Sequence, residues 1–144
     1  MYRIRKQLKW EGAHRLVTSY TEACQRIHGH SYRADVIIEA KELDEDGMVV
    51  DFKKIKDAIA GVIDLLDHRT MLHVDDRSLF ADVNNEIVQD SIIWVDFNPT
   101  AENMCQYILQ FLIIHLDCSK FHSVAIRIHE TCTGDAELKE ILDA

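Results

Sequence analysis

One proline and five glycines in 144 residues are too few for a collagen-like or low-complexity chain, and hydrophobic residues at 47% with charged residues at 28% are an ordinary globular balance. No basic run stands against the formal net charge of −9, which repels polyphosphate backbones and anionic lipid surfaces, so neither nucleic acid nor membrane is expected as a partner. Nowhere is there an apolar span of about twenty residues, the length that crosses a bilayer. The opening MYRIRKQLKW alternates apolar and basic residues instead of placing a charged stretch before an apolar block, which predicts a cytoplasmic protein. With no export signal, Cys24, Cys105, Cys118 and Cys132 are expected as thiols, Cys105 and Cys118 as inert packing residues.

This length predicts one compact domain over 1–144. From Tyr2 to Leu16 the even positions are mostly apolar and the odd ones through Glu11 mostly charged, with Lys6 the exception, which predicts a half-buried strand. A second alternation runs from His28 to Lys41, with Tyr32, Ala34, Val36, Ile38 and Ala40 on one face. Asp51 can cap a helix whose apolar positions run from Phe52 to Leu66, and Asn98-Pro99-Thr100 opens another with Met104, Ile108, Phe111, Leu112 and His115 as its stripe. Ser123–Glu130 reads as a third strand and Ala136–Leu142 as a short last element, while 73–97 reads as a long loop with one short strand at Ile92–Val95. The pattern predicts an α+β fold with helices on one sheet face.

His28 and His30 are two apart on a strand, so their imidazoles leave the same face, and Gly29 between them leaves room for backbone approach. By the same parity His14 falls on the apolar face of the first strand. A lone histidine there is ordinarily a hydrogen-bonded core residue. Three on converging faces point instead to a divalent ion such as zinc, with a fourth position open for water or substrate. Cys24, four residues before His28, is either a fourth ligand that closes the site or a thiolate base beside the metal. Glu130 shares the parity of Val124, Ile126 and Ile128, so it is either a solvated residue at a strand end or an acceptor for paired N–H donors of a flat heterocycle. Asp67-His68 offers an acid–base pair, but a direct contact between neighbours needs a break in the helix. Arg15, Arg26 and Arg33 are candidate phosphate partners, each more simply a solvated surface residue.

WEGAHRL, CQRIHGHSY, VVDFKKIKD, LLDH, NPTAEN and HETCTG, in that order and over most of the chain, resemble the family of 6-pyruvoyl- and 6-carboxytetrahydropterin synthases. The resemblance implies a tunnelling fold (T-fold): a four-stranded antiparallel sheet with two helices on one face, sheets joined into a barrel in a homo-oligomer, a hexamer by family resemblance, with active sites between subunits. It implies His14, His28 and His30 as zinc ligands, Cys24 as the proton-abstracting base, His68 with Asp67 as a catalytic pair, Glu130 as the acid that anchors the pterin, and Thr100 and Glu102 as pterin-pocket residues. The three residues between Cys24 and His28 are similar to the 6-carboxy branch, since the 6-pyruvoyl branch usually has a longer spacer. The implied reaction takes a pterin triphosphate, 7,8-dihydroneopterin triphosphate, to 6-carboxytetrahydropterin on the way to 7-deazaguanines such as queuosine. Two rivals remain at this point: another side-chain-cleaving pterin lyase, and a non-catalytic zinc module in which Cys24 closes the site.

Overall fold

The computed structural model describes residues 1–142. Its frame is an antiparallel pair of 13-residue strands, β1 (Tyr2–His14) and β2 (His28–Ala40), in unbroken register from Tyr2 opposite Ala40 to His14 opposite His28. The intervening segment contains a four-residue helix, α1 (Glu22–Gln25). Further along come α2 (Phe52–Leu66), β3 (Arg69–His73), a 3-10 helix (Val74–Phe80), α3 (Glu86–Asp90), β4 (Ile92–Val95), α4 (Ala101–His115), β5 (Ser123–His129) and β6 (Asp135–Ile141).

The sheet has six strands rather than the expected four, in the order β4-β3-β1-β2-β5-β6, and it is mixed: β3 runs parallel to β1, and β4 parallel to β3. A parallel neighbour needs a crossover of a dozen or more residues. That requirement explains 74–91, which is a crossover carrying the 3-10 helix and α3 rather than a loop, while the short strand expected at Ile92–Val95 is present as β4. At five and four residues, β3 and β4 are too short for alternation to stand out.

Even-numbered residues of β1, β2 and β5 meet α2 and α4 in one core that includes Trp10, Tyr32, Val36, Ile38, Val124, Ile126 and Ile128. Asp51 caps α2 as expected, its side chain accepting from the Lys53 amide at 2.7 Å, and Ile55, Ile59, Val62, Ile63 and Leu66 are buried. Each such side chain contributes about 1.5–3 kcal/mol by leaving water. Phe52, at the helix start, stays 48% exposed. In α4 the buried stripe is Met104, Cys105, Ile108, Leu109 and Leu112, turned from the expected one so that His115 lies outside the core. Thr100, not Pro99, is the boundary residue, accepting from the Asn103 amide at 3.3 Å. Burial raises the thiols of Cys105 and Cys118 to about 11, so both are inert packing groups.

The opposite sheet face is polar and centres on Asp35, which is 1% exposed. Its carboxylate accepts from Gln7 Nε2 at 2.8 Å and from His129 Nε2 at 2.9 Å, with Arg5 at 3.6 Å. Burial pushes this carboxyl up, but the bonds from His129 and Gln7 and the charge of Arg5 outweigh burial and hold it below its ordinary value. A folded value below the unfolded one gives stability that is complete above about pH 4 and is lost as pH falls through the folded value. Asp35→Asn is therefore expected to cost about 2 kcal/mol in urea unfolding at pH 7, with the gap to the parent closing below about pH 4. A gap that does not change with pH would show that the charge of Asp35 is not what stabilises this face.

Candidate metal centre

The strand register places His14 directly opposite His28, with His30 opposite Gly12 one pleat away. His14 is buried and the other two are half-buried. His14 Nε2 lies 3.1 Å from His28 Nε2 and 3.2 Å from His30 Nε2. Among the described residues these three supply a group of ligand atoms all within 4.8 Å of one another. A tetrahedral ion with bonds of about 2.0–2.1 Å sets its ligands about 3.3 Å apart, so the spacing fits.

Tautomers make the case independently of distance. His14 Nδ1 donates to the Pro99 carbonyl at 2.7 Å, and His28 Nδ1 donates to the Arg26 carbonyl at 2.6 Å. A carbonyl only accepts, so each neutral ring carries its proton on Nδ1 and presents a bare Nε2 lone pair. Two lone pairs facing across 3.1 Å cannot hydrogen-bond to each other, but they are placed so that one cation could accept both. Burial lowers the pKa of both His14 and His30, even against the raising influence of Glu130, which favours the neutral ligating form.

Gly12, rather than Gly29, is where backbone room is tight: a Cβ on Gly12 would lie 3.1 Å from the Trp10 indole, whereas one on Gly29 would meet only the Gly12 carbonyl, at 3.4 Å. Trp10 in turn stacks on Tyr32 with centroids 4.9 Å apart, and Tyr32 packs edge-on to His30 at 5.2 Å, so an aromatic floor supports the imidazoles.

Glu130, one residue beyond β5, joins this centre to a cleft of about 770 Å³. Its Oε1 lies 3.6 Å from His30 Nε2, and it lines the cleft with Thr100, Glu102, Leu16, Thr18 and Tyr20. Thr100 and Glu102 are therefore brought to the same cavity as Glu130. Leu16 ends the WEGAHRL stretch, whereas Thr18 and Tyr20 belong to no motif, and only their position between His14 and Cys24 in the chain could have pointed to them.

The 6-pyruvoyl tetrahydropterin synthase family profile matches residues 3–140. The chain belongs to that family. It is 32% identical over 133 residues to 6-carboxy-5,6,7,8-tetrahydropterin synthase of Rickettsia bellii, covering 91% of this chain and 95% of that protein. To the protein of the same name from Aquifex aeolicus it is 33% identical over 123 residues, covering 81% and 76%. In fold it is similar to Plasmodium falciparum 6-pyruvoyl tetrahydropterin synthase, with a TM-score of 0.75 and 21% identity over 97% of this chain and 99% of that one.

The remaining residues to which the family resemblance gave roles lie apart from the three histidines. Cys24, half-buried in α1, is outside the ligand group and accepts a hydrogen bond from Thr21 Oγ1 at 3.2 Å. Asp67 ends α2 with extended backbone, and His68 takes φ 57°, so the helix breaks where a contact between neighbours requires it. His68 Nδ1 then donates to Asp67 Oδ2 at 3.0 Å. The Glu11 amide, donating to Asp67 Oδ1 at 2.9 Å, and then His68 hold the Asp67 carboxyl below its usual range. His68 is 79% exposed, and among the described residues neither it nor Asp67 lines the cleft. Arg15 is not the solvated surface residue of the simpler expectation: its side chain is 17% exposed and ion-paired to Asp76 at 2.6 Å.

His28→Ala is expected to leave the protein folded but to reduce its divalent metal, measured by elemental analysis after dialysis, at least about tenfold. Unchanged metal content in that variant would show that the three nitrogens do not form the binding site.

Proposed function

We propose that this chain is a zinc-dependent lyase that converts 7,8-dihydroneopterin triphosphate and one water to 6-carboxy-5,6,7,8-tetrahydropterin, acetaldehyde and triphosphate, in the biosynthesis of 7-deazaguanines such as queuosine. The observation that carries this reading is the junction at Glu130, where a cleft of about 770 Å³ meets the three-histidine group. Family membership and the relatives named 6-carboxy-5,6,7,8-tetrahydropterin synthase support the reaction class.

His14, His28 and His30 would hold the zinc. When bound, zinc supplies a Lewis acid that favours negative charge on the side-chain oxygens of the substrate. Glu130 accepts the paired N–H groups of the pterin ring, and Thr100 and Glu102, at the start of α4, line the same cleft. Cys24 takes the proton from the side-chain carbon, because its sulfur is free of the ligand group. In His68 the Nδ1 proton is committed to Asp67, which leaves Nε2 able to accept or return a proton.

The exposure of His68 is reconciled with this role if a second subunit brings its own cleft to the dyad. Among the described residues both terminal strands of the sheet, β4 and β6, pair on one side only, leaving edges through which copies can join.

Three measurements test the reading. Incubation with dihydroneopterin triphosphate should yield the 6-carboxy pterin and acetaldehyde in equal amounts; a 6-pyruvoyl product without aldehyde would place the chain in the other branch. Cys24→Ala should keep its metal and lose turnover, and parallel loss of both would make the thiolate a ligand. Separately inactive His68→Ala and Glu130→Gln proteins should recover activity when dissociated and reassembled together, whereas mixtures that stay inactive would mean the dyad does not serve a neighbouring cleft.

A further inference from the structure

The segment that carries Cys24 has little to hold it in place by itself. α1 is four residues long, contains no buried residue, and has an N-cap, Thr21, that makes no side-chain cap bond. A helix of that length has no independent stability in water. Its position comes from outside contacts, and those divide into two sets. On the cleft side, Asn98 accepts from the Val17 amide at 2.9 Å and donates to the Thr18 carbonyl at 3.3 Å. On the Cys24 side, the Leu16 amide donates to the carbonyl of Cys24 itself at 2.9 Å, and Arg15 Nε donates to the next carbonyl, Gln25, at 2.8 Å.

Arg15 does not reach Gln25 as a free side chain. Its Nη1 is fixed 2.6 Å from Asp76 Oδ1, and Asp76 is 6% exposed in the 3-10 helix of the β3–β4 crossover. The guanidinium is thus a planar fork with one prong on the thiol-bearing segment and the other on an element 50 or so residues further along the chain. The second oxygen of Asp76 is buried with no hydrogen-bond partner among the described residues. Keeping a carboxylate in so dry a place is costly, and Arg15 is the cation that compensates it.

We propose that Arg15 and Asp76 are positioning residues for Cys24: the β3–β4 crossover, through this ion pair, sets where the thiol stands relative to the three-histidine centre. The proposal rests on the reading of Cys24 as the proton-abstracting base. It gives the crossover a task in the active site, although none of its residues lines the Glu130 cleft.

The test compares Asp76→Ala, Asp76→Asn and Arg15→Lys with the parent, each as the full chain with its metal. Asp76→Ala leaves Arg15 without its anchor, and lysine cannot hold both partners at once, so both variants should lower kcat for dihydroneopterin triphosphate about ten- to a hundredfold, the range for a reacting group displaced by about 1 Å. KM should change less than about twofold, because Asn98 still holds the cleft side, and metal content should be unchanged. Asp76→Asn keeps an acceptor for Arg15 and should recover part of the lost kcat. Iodoacetamide alkylation at Cys24, followed by peptide mass spectrometry, should be at least about threefold faster in Asp76→Ala and Arg15→Lys than in the parent. If Asp76→Ala does not fold, Arg15→Lys decides alone. Parent-like kcat or parent-like alkylation, or a fall in kcat matched by metal loss, overturns the proposal. Cys24→Ala, run alongside, separates the two ideas: full activity in that variant removes the role of Cys24 as base, while the alkylation rates still report whether the ion pair positions it.

Discussion

The pairing of β1 with β2 decides where everything else can be. Side chains alternate across a strand, so a slip of one residue would turn every apolar side chain of β1 away from the core and carry His14 to the polar face with it. The register is fixed by matched pairs along the whole ribbon, Ile4 with Ile38, Leu8 with Ala34 and Trp10 with Tyr32, before it reaches His14 and His28. Burial of the apolar face and assembly of the three imidazoles are therefore one event. The geometry that matters for a metal is inherited from thirteen residues of ordinary strand packing.

Strand pairing brings the rings together but does not choose which nitrogen faces inward. That choice falls to two backbone carbonyls in irregular segments, Pro99 before α4 and Arg26 before β2. Pro99 serves well because it is buried immediately before the Thr100 cap, where its carbonyl is outside the helix ladder and free to accept. The boundary of α4 thus does two things, starting a helix and fixing a tautomer. It also explains why a residue that first reads as the opening turn of the helix lies one position outside it.

What could be read from the sequence followed the length and regularity of each element. β1, β2, α2 and β5 repeat their period long enough to be recognised, and the parity argument placed His14, His28 and His30 on one face because nothing in those strands interrupts the alternation. β3 and β4 were not legible as parallel partners, since five and four residues carry no period and the register of a parallel pair depends on distant chain. The Arg15–Asp76 pair was hidden for the same reason. Two charged residues 61 positions apart carry no mutual signal, and an arginine beside a metal-ligand candidate invites a phosphate reading until its partner is seen. Alternation alone would put Asp35 on the face opposite the core, yet it is almost fully buried, with Gln7, Arg5 and His129 around its carboxylate.

β1 also governs the dyad after α2. The Glu11 amide donates to Asp67 Oδ1 and the Glu11 carbonyl accepts from the His68 amide at 2.6 Å, so one strand residue holds both sides of the break. His68 is in the left-handed region at φ 57°, a conformation that costs a non-glycine residue about 1–2 kcal/mol. Two hydrogen bonds, one to a carboxylate, are of a size to offset that cost. Without the break, a regular helix would point His68 and Asp67 about 100° apart, and the Nδ1 proton would have no fixed acceptor. Because Glu11 precedes His14 by three residues on the same strand, the Asp67–His68 break and the three-histidine group are both tied to β1 within one chain.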